Sequence, residues 1–268
     1  MGVFGPNIAT LKARRDIPGL ISCLRHKSQE TRSDAMAALA AIGPEAVGSL
    51  CAALRDRDET TRWVAALALG LIGDARAAVP LREAFRVAYD TWVDECSPSA
   101  LSLIKATADA LGLIGDKEAV NLLCAALIRG GIFAHGVGGM RNGVMLVLDP
   151  QDLASVVATI IGAIGRIGAL GRIDDARVAE LLCSLLGRGS SQTRDAAEEA
   201  LVKLGTIAVD ALCGSLGHED PNRRLQAVRA LGRIRNARAV GPLRNLLNDP
   251  VHLVRKAAKE ALTPLGTS

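Results

Sequence analysis

The sequence predicts an all-α chain of stacked two-helix units, and three observations predict it. First, the stretch Ala68-Leu69-Gly70-Leu71-Ile72-Gly73-Asp74 returns as Ala110-Leu111-Gly112-Leu113-Ile114-Gly115-Asp116. Looser copies lie at Ala38-Leu39, Ala169-Leu170, Ala200-Leu201, Ala230-Leu231 and Ala261-Leu262. Second, the leucines of these seven copies are spaced 30, 42, 59, 31, 30 and 31 residues apart, a period of about 31 broken by two insertions. A fixed period of that size marks a repeat in which each unit buries its apolar face against its neighbours. Third, apolar residues are 49 % of the chain and aromatic residues 2 %, so the core is built of Ala, Leu, Ile and Val, small enough for helices to approach closely. The array is expected to run as one domain over residues 1–268, with insertions at about 86–99 and 130–149.

Each unit resolves into two helices. The pattern Arg-x-x-Ala-x-x-Ala-Leu starts from Arg32, Arg62, Arg194, Arg224 and Arg255, and offsets of three and seven place its residues along one side of a first helix. A Gly one to four residues after the Leu stops that helix, because Gly takes the left-handed terminal conformation at little cost. The second helix carries apolar pairs four apart: Leu50/Leu54, Leu81/Phe85, Leu123/Leu127, Leu182/Leu186, Leu212/Leu216 and Leu243/Leu247. Helices this short are marginal alone in water, so stacking must stabilise them.

In chain order, residues 6–26 form a shortened opening unit with Leu20/Leu24 in the usual places. The first insertion extends a second helix by a turn or two and contains Tyr89, the single tyrosine, and Trp92, with Asp90, Asp94 and Glu95 beside them. Tyr89 and Trp92, three apart, share a helix face; they either pack on the adjacent unit or offer a contact to a partner. The second insertion holds Gly130, Gly131, Gly136, Gly138, Gly139 and Gly143 around Phe133, His135 and Arg141. Its Gly136-x-Gly138 lacks the preceding strand and following helix that a nucleotide-binding turn requires, which favours a flexible or interface loop over anion or nucleotide binding and over a catalytic role for His135. The helix after it, about 150–173, places Gly162, Gly165, Gly168 and Gly171 every third residue, at about 1 kcal/mol each relative to Ala. Either a close neighbour offsets that cost, or the helix breaks near Gly168 and Ala163-Ile164-Gly165 marks its end. The last stretch, 251–265, is a first helix without a partner: a cap, or the point where a longer protein has been cut.

The repeat resembles the HEAT-like repeats of the phycobilisome-lyase type, whose signature reads much like Val254-Arg255-Lys256-Ala257-Ala258-Lys259-Glu260-Ala261-Leu262. The resemblance implies a right-handed α-solenoid of about seven HEAT-like helical hairpins plus a terminal helix, with the second helices lining a concave surface. It implies no single activity, since such repeats serve both binding scaffolds and a few enzymes. Deoxyhypusine hydroxylase, an enzyme family with similar repeats, holds a di-iron centre through several His-Glu pairs; this chain has one, His218-Glu219, which speaks against that activity.

Cys51, Cys124, Cys183 and Cys213 each follow the Leu of a second helix. Neighbouring helices pack roughly 8 to 10 Å apart, farther than the 4.4 to 6.8 Å, approximately, that a disulfide spans between Cα atoms; free, structural thiols are expected. No finger-spaced metal ligands and no Gly-x-Ser-x-Gly nucleophile motif occur, so no catalytic residue, metal or cofactor is expected. The absence of a basic-then-apolar leader, and an apolar run over 153–165 shorter than the roughly 20 residues of a span, give the expectation of a soluble, cytoplasmic protein with no membrane partner.

Charge is uneven. Residues 1–220 carry a net −4 and residues 221–268 a net +8, for +4 overall. Arg229, Arg233 and Arg235 head the basic end, which is either a solvated or structural face, Arg224 and Arg255 standing at the recurrent position where a bond to a neighbouring turn serves equally well, or a patch that meets an acidic protein surface or nucleic acid phosphates. No aromatic residue follows Phe133, so base stacking on single strands is unsupported. The reading that results is a non-enzymatic protein-protein interaction scaffold whose binding residues are Tyr89, Trp92, Phe133, His135, Arg141, Arg229, Arg233 and Arg235. A chromophore-lyase-like enzyme or accessory subunit, and nucleic-acid binding by the basic repeats, are the alternatives.

Overall fold

The structure is a computed structural model that describes residues 7–95, 97–129, 140–141, 144–145, 150–187 and 189–265. It is an all-α solenoid. First helices are α1 (Ile8–Ala13), α3 (Gln29–Ile42), α5 (Glu59–Ile72), α7 (Pro98–Ile114), α9 (Pro150–Ala169), α11 (Ser191–Leu204) and α13 (Pro221–Ile234). Their second helices are α2 (Ile17–Cys23), α4 (Val47–Ala53), α6 (Ala78–Glu95), α8 (Ala119–Arg129), α10 (Ala176–Leu185), α12 (Val209–Ser215) and α14 (Val240–Asn245), and α15 (His252–Leu262) stands as a last first helix. Seven hairpins and a terminal helix result among the described residues. A two-residue antiparallel ladder, Met140–Arg141 with Val144–Met145, lies between α8 and α9.

The chain divides into two compact units, Met1–Leu122 and Leu123–Ser268. Within the first, α3 packs on α5 and α5 on α7, while each of α2, α4 and α6 packs on the first helix that follows it. The second repeats the scheme, with α9, α11, α13 and α15 packing in series and α10 against α12. The core is the expected one: Ala35, Leu39, Ala65, Leu69, Ala197, Leu201, Ala227, Leu231, Ala258 and Leu262 are all buried.

Three local devices repeat. A Ser or Asp opens each of four first helices and accepts a backbone N–H inside the first turn, as Asp58 does from Thr61 at 2.7 Å and Ser190 from Thr193 at 3.1 Å, satisfying a donor that the helix itself cannot. The Gly four residues after the core Leu is the one that ends the helix: Gly43, Gly73, Gly115 and Gly205 all have φ between 62° and 77°. At the same place after Leu231 stands Arg235, held at φ 56°. The Gly directly after the core position does something else. A Cβ on Gly70 would stand 2.8 Å from Ala110 Cα, and one on Gly232 would stand 2.9 Å from Ala261 Cβ, so these glycines let successive first helices touch.

The same contact settles the register of α9. A Cβ on Gly165 would lie 2.9 Å from Ala200 Cα, and Ile164 is fully buried where Leu170 is 55 % exposed. Ile164, not Leu170, is therefore the core marker of this unit, and the helix continues past it to Ala169 without a break. Two stretches, Gln29–Ala53 and Gln151–Ala169, are apolar enough over their length to cross a membrane by composition. The first is in fact α3, a 3-10 turn and α4; the second buries Ile160, Ile161, Ile164 and Ile167 within its unit, where it packs on α11.

Candidate functional site

The first insertion is absorbed by helix. α6 runs 18 residues, against 7 for α4 and 7 for α12, and its inner side carries three aromatic residues spaced four and three apart, Phe85, Tyr89 and Trp92. Phe85 stacks on Tyr89 with ring centroids 6.2 Å apart, and Tyr89 meets Trp92 at 5.9 Å with the planes tilted by 52°. Phe85 is fully buried, Tyr89 8 % and Trp92 9 % exposed. The two residues named from sequence as a contact are thus turned into the core, because the lengthened helix needs apolar bulk beneath it. What a partner can reach is the opposite side: Val79, exposed at 65 %, Val87 at 53 %, and the exposed Asp90 and Asp94.

Beside that outer side lies a cleft of about 420 Å³, within the range of approximately 300–1,000 Å³ typical of ligand sites. Its apolar lining comes from α4 and the turn after it (Cys51, Leu54), from α6 (Pro80, Ala84, Val87, Ala88) and from the start of α7 (Ala100, Leu103). Arg55, Asp56, Arg62, Glu83 and Thr91 supply polar groups. Asp56 is paired with Arg25 at 2.5 Å and accepts the Asp58 N–H at 2.8 Å; that backbone bond and the Arg25 guanidinium outweigh burial and hold its carboxyl below the usual range. Glu83 is paired with Arg86 at 2.8 Å.

Arg62 also explains the recurrent arginine. Its Nη1 donates to the carbonyls of Asp56 and Arg57 at 2.9 and 3.2 Å. Arg32, Arg224 and Arg255 make the same pair of bonds to the residues six and five before them, and Arg194 donates to Gly189. The arginine clamps the turn that enters its own helix, a role the spacing alone did not distinguish from a surface charge. In Arg224 the remaining edge grips a carboxylate: Nε and Nη2 donate to Asp249 at 2.7 and 2.9 Å, with both side chains buried.

Phe133 and His135 fall outside the described residues. Arg141 is placed by its backbone only, opposite Val144 in the short ladder. In the second unit Arg229 and Arg233 line one shallow groove over Gly232, Ala257 and Ala261. Arg233 is engaged there, to Glu198 at 3.2 Å and Glu199 at 2.6 Å, and its hydrogen bond draws the Glu199 carboxyl below its ordinary range. Arg238 likewise pairs with Asp210 at 3.1 Å. Two arginines of the basic end, Arg233 and Arg238, are thus paired with acids before it in sequence, while Arg229 and Arg235 are exposed and form no ion pair among the described residues.

The described cysteines Cys23, Cys51, Cys124, Cys183 and Cys213 are free. Burial pushes the Cys124 and Cys183 thiols up to about 11, which leaves little thiolate for nucleophilic or redox chemistry near neutral pH. Among the described residues no three His, Cys, Asp or Glu side chains are grouped to hold a metal ion. His218, of the one His-Glu pair, accepts the Asp220 N–H at 3.1 Å through Nδ1 and so closes a turn.

Paired helices stacked in series, with a cleft walled by second helices, define an α-helical repeat protein. The chain belongs to the HEAT-repeat family: the profile for HEAT repeats matches residues 17–102 and 203–263, and that for the PBS lyase HEAT-like repeat matches residues 105–129. Similar solved structures include the complex of CpcE and CpcF of phycocyanin lyase from Nostoc sp., 22 % identical over 93 % of this chain and 94 % of that one, TM-score 0.46. An archaeal HEAT-like repeats protein from Thermococcus onnurineus is 12 % identical over 93 % of this chain and 97 % of that one, also at 0.46. Human deoxyhypusine hydroxylase is 20 % identical over 98 % and 100 %, at 0.34. No curated protein sequence matches the chain.

Proposed function

We propose that this protein is a non-enzymatic scaffold that binds another protein through the second-helix side of its first unit. The observation that carries the reading is the cleft of about 420 Å³ beside the outer side of α6. Val87 lines it and is exposed, and Val79, two turns earlier on the same helix, is exposed outside the lining, with Glu83 between them in sequence. Apolar side chains lining a cleft rimmed by charge are a common mark of a protein contact, and a helix side next to a groove suits a helical or extended segment of a partner. Phe85, Tyr89 and Trp92 serve this surface from beneath by holding α6 rigid for its full length.

Capture from the native cell tests it. Wild-type protein should retain a specific protein partner by affinity capture with cross-linking, and Val79→Glu with Val87→Glu should lose it while keeping the helical signal, since both sites are exposed. Equal capture by the wild type and the double variant would remove the reading.

A further inference from the structure

We infer that the first-unit cleft recognises a single carboxylate flanked by apolar side chains, on an otherwise apolar segment of a partner protein, with Arg62 as its principal ligand. The inference deepens the scaffold reading and rests on it.

Arg62 and Arg224 are built alike. Each spends Nη1 on two carbonyls of the turn that precedes its helix, which fixes the guanidinium and leaves the Nε and Nη2 edge for another acceptor. In Arg224 that acceptor is Asp249, from the turn that enters the next first helix, 13 residues before the core Leu262. For Arg62 the position 13 residues before the core Leu111 is Pro98, which has no carboxylate to give; Asp56, at the corresponding place for Arg32, pairs with Arg25 instead. Among the described residues nothing bonds Nε or Nη2 of Arg62, and the side chain lines the cleft. A planar fork already oriented by two bonds is suited to bidentate carboxylate binding.

The charges of the cleft agree. Its two acids are already satisfied, Asp56 by Arg25 and Glu83 by Arg86, so they add no net repulsion. Arg55 lines the same cleft, is exposed and makes no ion pair among the described residues. The Arg62 charge helps to hold the Asp56 carboxyl low without an ion pair between them, so what the cleft leaves open is the Nε and Nη2 edge of Arg62 together with the charge of Arg55. Around them Leu54, Ala84, Val87 and Leu103 are apolar, so the carboxylate must arrive on a segment with apolar neighbours rather than on a free acidic tail.

The test uses two pools of fluorescein-labelled nonapeptides, acetylated and amidated so that only side chains carry charge. One pool has Glu at the centre, Leu, Ile, Val, Ala or Phe at the two positions on either side, and Ser or Gly outside; the other has Gln at the centre. By fluorescence anisotropy the full-length protein should bind the Glu pool at least tenfold more tightly than the Gln pool. Val87→Glu, at an exposed site, should weaken the Glu pool at least tenfold, and Arg55→Gln several-fold. Arg62→Lys, which keeps the charge and loses the fork, should erase the preference for Glu, with circular dichroism reporting that the helices remain. Equal binding of the two pools, binding unchanged by Val87→Glu, no binding of either pool, or binding of decanoate without either peptide pool would each overturn the inference. If the captured partner depends on Val79 and Val87 while the pools bind alike, the carboxylate assignment falls and the scaffold reading stands.

Discussion

Arg224 and Asp249 show how much one pair of residues does in this repeat. The arginine holds its own turn through Nη1 and the next turn through Asp249, and Asp249 in addition accepts the Val251 N–H at 2.8 Å. Burial alone would push the Asp249 carboxyl up; the bonds from Arg224 and Val251 and the charges of Arg224 and Arg255 outweigh it and hold the carboxyl below the usual range. Truncating one partner of a buried pair leaves the other uncompensated, so Asp249→Ala should cost about 3 kcal/mol in urea unfolding. The pH dependence has a definite sign. The unfolded carboxyl titrates near about 3.9, above its folded value, so the stabilisation is complete above roughly pH 5 and is lost as pH falls through the lower folded pKa. Urea midpoints at pH 7, 5 and 3 should therefore drop more steeply for the wild type than for Asp249→Asn. Arg235 offers the opposite effect. It occupies, at φ 56°, the helix-ending place that Gly holds in four other repeats, and Arg235→Gly should raise stability by roughly 1 kcal/mol by relieving the left-handed strain.

Glycines decide the packing of α9, and they do not all act alike. Gly165 is where Ala200 of α11 comes closest, and Gly168 is covered by Leu204, whose Cδ2 would lie 2.6 Å from an added Cβ. Gly162 meets only the far end of Arg166, at 3.8 Å. Gly162→Ala should therefore stabilise by about 1 kcal/mol through helix propensity, whereas Gly165→Ala should destabilise by about 1–3 kcal/mol because backbone must move. Thermal unfolding of the two variants side by side checks both signs. α6 makes the same point with bulk in place of its absence: Phe85, Tyr89 and Trp92 fill the space under the extra turns, and the outer side is left to carry Val79 and Val87.

Across the molecule, stability is expected to be a sum of local terms, because each repeat packs on its neighbours and on little else. Both tryptophans, Trp63 and Trp92, lie in the unit Met1–Leu122, so fluorescence reports that unit while far-UV circular dichroism reports the whole chain. In Asp249→Ala the dichroism transition should acquire an early component and the fluorescence transition should stay where it is in the wild type. A matching shift in both signals would show that the two units unfold as one. The net +8 of residues 221–268 looks different at this scale too. Arg224 is spent on Asp249, Arg233 on Glu198 and Glu199, and Arg238 on Asp210, three of these acids falling before residue 221, so a charge count by segment overstates what a partner would meet.

The period, the helix pairs, the helix-ending glycines and the buried Ala and Leu ladder are all written in the sequence of this HEAT-repeat chain, because each depends on residues within one helical hairpin and recurs where the spacing says it will. Other features depend on contacts between hairpins. Which of two apolar candidates in α9 is the core marker is decided by Ala200, 35 residues after Gly165. Whether Tyr89 and Trp92 face a partner or the core is decided by the turn count of α6 and by what lies beneath it. The recurrent arginine is legible as a pattern with two readings, a surface charge or a structural bond to a neighbouring turn, and spacing cannot choose between them, since its acceptors are backbone carbonyls that carry no side-chain signature. Its remaining edge is filled by Asp249 of the following repeat in Arg224 and left open beside a cleft in Arg62, and only the packing of neighbouring hairpins tells the two apart. Local periodicity sets the secondary structure, and long-range packing decides which faces and which hydrogen-bonding edges remain for another molecule.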